Sequence, residues 1–310
     1  MPAIRLYPFH GMRKQTKAYL YASAAVILWA TVATAFKISL RHLAPLQLLL
    51  FASTASTAAL FAILSLQGKL GLLKQFSRKD YLRCAFLGLL NPLLYYAILF
   101  EAYSLLPAQQ AQPINMTWPI ILVLLSIPIL KQKIGILSIV AIFVSFFGVL
   151  VLSTQGDIFA MRFTSLAGVL LALASTVFWS LYWILNMRDG RDEVARLFVS
   201  FVFGTMFALV LAMIYTKIDL SNASGLLCAA YVGLFEMGIT FVLWLKALKT
   251  SRTTAQVGNL IYLSPFLSLI PIHFIVGENI HPSSIIGLIF IVVGIFIQKI
   301  DTRKANTQPF

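Results

Sequence analysis

Charge is nearly absent from ten long stretches of this 310-residue chain. Apolar runs fall at 18–40, 44–67, 81–103, 107–130, 134–153, 164–186, 194–217, 222–248, 252–276 and 283–300. A hydrocarbon core about 30 Å thick is crossed by about 20 helical residues rising about 1.5 Å each, so every run is long enough. Backbone in lipid must satisfy its own N–H and C=O groups, which leaves helices or a closed barrel. The short alternating segments of a barrel are missing. The expected fold is therefore all-α and integral to a membrane, with ten transmembrane helices. Composition agrees: 60% of residues are hydrophobic and 11% are charged, against about a quarter charged in soluble chains.

The chain has 24 Lys+Arg against 10 Asp+Glu, a formal charge of +14. In a soluble protein that excess would raise nucleic acid as a partner. Here the basic residues sit between the apolar runs, with no basic stripe interleaved with aromatics. They read as topology signals, so the expected partner is the lipid bilayer and not nucleic acid. With the N-terminus inside, 20 of the 24 fall in cytoplasmic segments; Lys37, Arg41, Arg162 and Lys217 do not. This split puts both termini in the cytoplasm of a multi-pass plasma (inner) membrane protein. Residues 1–17 form a basic cytoplasmic segment without the apolar core of a cleaved signal, and Met1 and Met12 are both compatible starts. Residues 301–310 form a cytoplasmic tail. The two cysteines, Cys84 and Cys228, are expected as small apolar fillers, with neither a disulfide framework nor a metal site.

The chain repeats itself. Gln110 to Gly148 aligns without gaps on Gln256 to Gly294, at an offset of 146, pairing Pro119 with Pro265. At an offset of 145, Gly88 pairs with Gly233, Asn91 with Glu236 and Ala102 with Ala247. Trp29 in the first run has a counterpart in Trp179 of the sixth. The halves are 18–153 and 164–300, five runs each. Five is odd, so the second half is inverted relative to the first, and rocking two inverted halves gives alternating access to a midplane site.

Ser264-Pro265, Val276-Gly277-Glu278, Gly287 and Gly294 now stand together as a pattern, beside Trp29, Lys37, Arg41 and Pro45 in and after the first run. On these the chain resembles the EamA-type, ten-helix branch of the drug/metabolite transporter superfamily. The stretch Asn115-Met116-Thr117-Trp118-Pro119 is similar to the fourth helix of its aromatic amino-acid exporters. The resemblance implies outward secondary transport of small metabolites such as amino acids, with no catalysis and no cofactor. One departure stands out: the first-half position of the Gly-Glu pair holds Lys131-Gln132.

Missing motifs support the same direction. No phosphate-binding G-x-x-x-x-G-K-[ST] occurs, nor H-E-x-x-H, nor G-x-S-x-G, which argues against ATP hydrolysis and hydrolase chemistry. The four histidines, His10, His42, His273 and His281, are scattered and make no metal site.

Glu236 is the acid placed deep in a run. A carboxylate in hydrocarbon is costly and must face the bundle interior, as a substrate or proton-coupling site or as a neutral packing residue. Asn91 with Tyr95, and Glu236 with Thr240, are i,i+4 pairs expected to share a face. Asn115 with Trp118, and Asn259 with Tyr262, are i,i+3 pairs. With Trp29, Trp179, Tyr182 and Trp183 they outline a cavity for a small polar or aromatic molecule; the alternative is aromatic space filling. Pro92, Pro113, Pro119, Pro128, Pro265 and Pro271 are expected to interrupt the third, fourth and ninth runs. Two rival functions stay open here, a receptor-like or signalling membrane protein and a membrane-embedded lipid enzyme. Monomer and homo-oligomer are not distinguished.

Overall fold

The computed structural model describes residues 14–106, 114–154, 156–160, 165–276 and 282–307, and among them there is no strand. The first half holds α1 (Lys14–Ser39), α2 (Pro45–Leu66), α3 (Arg78–Gly88), α4 (Tyr95–Leu105), α5 (Trp118–Leu130) and α6 (Ile136–Ser153). The second holds α7 (Leu166–Arg188), α8 (Glu193–Tyr215), α9 (Ala223–Val232), α10 (Ile239–Thr250), α11 (Thr254–Gly258), α12 (Leu263–Pro271) and α13 (Ser283–Thr307). Residues Met12, Pro113, Arg162, Gly277, Glu278 and His281 lie outside the described residues, as does His10.

Local chemistry sets the helix ends. Ser77 and Asp80 form a reciprocal capping box at α3. Ser165 caps α7, Asp192 caps α8 through the Val194 and Ala195 N–H groups, and Asn222 caps α9 through Gly225. At the departure noted above, Lys131 ends α5 in the left-handed region with φ 54°. Gln132 Oε1 there accepts the Thr254 N–H at 3.0 Å and the Thr254 hydroxyl at 3.1 Å. The amide thus ties the end of α5 to the start of α11.

Six helical rods are long and apolar enough to cross a membrane among the described residues: Pro45–Leu66, Arg78–Leu99, Leu166–Arg188, Glu193–Tyr215, Ala223–Thr250 and Thr254–Ile275. Three shorter apolar helices, Trp118–Leu130, Ile136–Val151 and Ile285–Gln298, accompany them. Apolar side chains cover the outside of the bundle, with Met213 68%, Leu227 71% and Phe274 80% exposed. Such a surface is suited to lipid and costly in water.

Among the described residues, the expected prolines fall at breaks in the runs, except Pro128. Pro92 does sit at a break: Asn91 is extended (φ −153°, ψ 123°) inside a wide-turn segment, Leu89–Leu94, that joins α3 to α4. The residue before proline is pushed out of the helical region, which accounts for it. Pro119 and Pro265 each follow a local break, a turn at Met116–Thr117 and a tight-turn segment at Asn259–Tyr262, and stand in the first turns of α5 and α12. Pro128 lies within an unbroken α5, whereas Pro271 ends α12 where a further wide-turn segment, Ile272–Val276, begins. The counterpart of the Asn91 break is a wide-turn segment without proline, Gly233–Gly238, between α9 and α10.

Packing partners exchange between the halves. α1 packs on α10 as α7 packs on α4; α1 packs on α12 as α7 packs on α5; α2 packs on α9 as α8 packs on α3. α2 pairs with α8 and α6 with α13. The closest approaches are made by repeat-related glycines. A Cβ on Gly88 would collide with the Ser200 carbonyl of α8, and one on Gly233 with the Ala52 carbonyl of α2. Small residues let membrane helices approach backbone to backbone.

Candidate functional site

All five tryptophans of the chain belong to one connected group in the interior. Trp29 of α1, Trp118 of α5, Trp179 of α7 and Trp244 of α10 converge from four helices. Ring centroids lie 5.2 Å apart for Trp29–Trp244, 5.7 Å for Trp118–Trp244, 6.0 Å for Trp118–Trp179 and 6.2 Å for Trp29–Trp179. Trp183 joins through Trp179 at 5.5 Å. Tyr95 lies 4.4 Å from Trp179, and Phe241 of α10 lies 4.9 Å from Trp183. Tryptophan in membrane helices ordinarily prefers the interface belts. Here Trp179, Trp183 and Trp244 are buried, and their Nε1 groups have no hydrogen-bond partner.

Two of the wide-turn segments, Leu89–Leu94 and Gly233–Gly238, meet beside this group. Tyr96, just past the first, donates its hydroxyl to Glu236 Oε1 in the second at 2.8 Å. Trp29 Nε1 donates to the Glu236 backbone oxygen at 3.2 Å. A wide turn frees backbone carbonyls from the helical ladder and commonly marks functional sites, and the Trp29 bond uses one of them.

Several expected residues are brought together: Trp29, Tyr95, Asn115, Trp118, Trp179, Tyr182, Trp183 and Glu236. Asn115 Nδ2 donates to Ser175 Oγ at 3.3 Å and reaches the Tyr95 hydroxyl at 3.5 Å. Tyr182 packs edge-on against Trp183 at 5.2 Å. Others stand apart. Tyr262 is buried against Phe146 at 6.2 Å. Asn91 and Asn259 are buried with neither amide atom partnered.

The expectation that Asn91 shares a face with Tyr95, and Glu236 with Thr240, rested on regular helix. It fails because a wide-turn segment occupies each stretch, and the Thr240 hydroxyl instead donates back to the Phe235 carbonyl.

Sequence reasoning missed Tyr96, Trp244 and Phe241. Trp244 lies two residues before Lys246, the pattern of an interfacial anchor. It also missed a charged hub at the α7–α8 turn, whose basic residues were read as topology signals alone. Asp189 is bound by Arg191 and lies 3.3 Å from Arg196 and 3.9 Å from Arg83. Arg191 also pairs with Asp80 at 3.0 Å, Lys69 with Asp192 at 2.6 Å, and Lys249 with Glu193 at 3.4 Å. Lys249 Nζ donates to the Asp189 carbonyl oxygen at 2.7 Å. Burial alone would raise the Asp189 carboxyl, but hydrogen bonds from Arg191 and the Arg196 charge outweigh it and hold the group well below the usual carboxylate range.

A helical bundle with an apolar outer surface, interior indoles and a carboxyl at a helix interruption fits the class of polytopic membrane proteins. The chain belongs to the EamA-like transporter family, whose model matches residues 16–154 and again 166–298. An uncharacterized transporter of Clostridium kluyveri is 32% identical over 188 residues, 57% of this chain and 59% of that protein. The matched part thus spans less than two thirds of that relative. An uncharacterized transporter of Archaeoglobus fulgidus is 23% identical over 286 residues, covering 91% of this chain and 97% of that one. A solved crystal structure superposes with a TM-score of 0.81 at 21% identity, over 96% of this chain and 100% of the other, a likeness of fold.

Proposed function

We propose that this chain is a secondary transporter that exports small metabolites such as amino acids by alternating access around the tryptophan group. In this reading ten helices cross the plasma membrane as two inverted halves, 18–153 and 164–300, with both termini cytoplasmic. The observation that carries it is the Tyr96–Glu236 hydrogen bond, which joins the helix interruptions of the two halves beside the indole rings. Wide turns flex more readily than regular helix, so rocking the halves would make and break contacts there. The indole and phenol faces would stack a substrate side chain, with unpartnered Nε1–H groups available to it. Glu236 would load a proton from one side and release it to the other.

Uptake and efflux of an amino-acid panel in proteoliposomes tests the reading. Trp118→Ala and Tyr95→Ala should each lower transport per folded molecule about tenfold, the loss of roughly one aromatic contact. Glu236→Gln keeps shape but cannot ionise, so the pH dependence of transport should flatten. Full transport by both alanine variants would misplace the cavity. An unchanged pH profile in Glu236→Gln would make Glu236 structural.

A further inference from the structure

Arg196 lies in the first turn of α8 with its side chain fully buried. Its Nη1 donates to the Asp189 backbone oxygen at 3.0 Å and faces Asp189 Oδ1 at 3.3 Å. The opposite edge, Nε and Nη2, is buried and has no hydrogen-bond partner. Those two N–H groups are parallel and make the side-on fork that matches the two oxygens of a carboxylate. Burying donors of a charged group without an acceptor is expensive, so such an edge in an interior needs a reason.

The surroundings favour an anion. The Tyr182 hydroxyl, Ser200 Oγ and Asn186 Oδ1 are also buried, with Tyr182 set against Asn186 and Ser200 against Cys84. Arg196 and Ser200 share a face of α8, as Tyr182 and Asn186 share one of α7, and the Tyr182 hydroxyl lies within the field of Arg196. The hydroxyls can both donate and accept, whereas the two guanidinium N–H groups can only donate and so call for an acceptor. Charge points the same way. The ion-paired residues of the hub comprise five cations (Lys69, Arg83, Arg191, Arg196, Lys249) and four carboxylates (Asp80, Asp189, Asp192, Glu193), leaving one positive charge over. The site adjoins the aromatic group, because Tyr182 packs on Trp183 at 5.2 Å and on Phe241 at 6.0 Å.

We propose that the free edge of Arg196 is a carboxylate subsite, which takes the carboxyl group of an amino-acid-class substrate between the Asp189 hub and the tryptophans. The inference rests on the transport reading and adds a substrate chemistry to it. An incoming carboxylate also brings a negative charge beside Asp189, which competes for the same guanidinium and loosens the tie between α7 and α8. The substrate would thus open its own path.

The test is binding, read from intrinsic tryptophan fluorescence of the purified full chain. The probes are the proteinogenic amino acids and their α-amides. At least one acid should bind about tenfold or more tightly than its own amide, the worth of a charge-assisted bidentate pair. Arg196→Lys keeps the charge and a donor for Asp189 but lacks the fork. It should erase most of that preference while the amide affinity moves less than about threefold. Equal binding of acid and amide by the unaltered protein needs no variant and overturns the subsite. A folded Arg196→Lys protein that keeps the preference overturns it too, as does the absence of binding by every acid, since all share the carboxylate. Transport is measured separately in proteoliposomes. An acid preference without movement across the bilayer would sink the transport reading and leave the subsite standing.

Discussion

Tyr96 and Glu236, 140 residues apart, share a hydrogen bond of 2.8 Å across the two helix interruptions. Each half supplies one partner. Tyr96→Phe and Glu236→Ala should therefore be non-additive. In a double-mutant cycle of unfolding in detergent, a coupling of about 1 kcal/mol is expected, the net worth of one buried hydrogen bond. Strict additivity would mean the bond is not formed.

Gly88 and Gly233 should tolerate no side chain. Gly88→Val and Gly233→Val are each expected to cost about 2 kcal/mol, since the neighbouring obstacle is backbone carbonyl and not a side chain that can move. Gly71→Ala, with nothing within 4 Å of the new Cβ, is the control and should be close to neutral. Thermal unfolding of the three variants decides it. A milder loss at Gly233 than at Gly71 would rule out the close approach to α2.

Acid should weaken the protein through Asp189. Its folded value lies below the ordinary 3.8, so the ionised form stabilises the fold. That contribution is complete above about pH 5 and is lost as pH falls through the folded value. Asp189→Asn is expected to cost about 3 kcal/mol at neutral pH, as for breaking a buried pair, and to flatten the acid limb. Some acid sensitivity should persist. Asp80 is also lowered, by its bonds from Ser77, and Asp192, against its burial, by Lys69. An acid limb as steep in Asp189→Asn as in the parent would refute the role of the hub.

Lys131 sits at φ 54° and ψ 34° with an exposed side chain. A left-handed residue other than glycine costs about 1 kcal/mol. Lys131→Gly should raise the melting temperature by relieving it, offset in part by a freer unfolded chain. Lys131→Ala removes the same charge without relaxing the backbone, and no gain is expected. If both variants melt higher by the same amount, charge and not backbone strain is the cause.

Helices in lipid are demanded segment by segment, so the apolar runs and the basic turns between them were enough to mark the all-helical class and the repeat. Exclusion of charge from hydrocarbon acts on each stretch independently of its neighbours. The tryptophans at 29, 118, 179 and 183 were legible as interior candidates for the same reason, since each lies well inside a run. The wide turn at Gly233–Gly238 was not, because no proline marks it and its shape comes from α10 and α2 packing around it. Trp244, Tyr96 and the free edge of Arg196 were likewise hidden. Their roles depend on α10 lying on α1, on two interruptions meeting, and on Asp189 taking one end of a guanidinium and leaving the other. Those relations join residues that local periodicity cannot connect, and only the packing of one half against the other decides them.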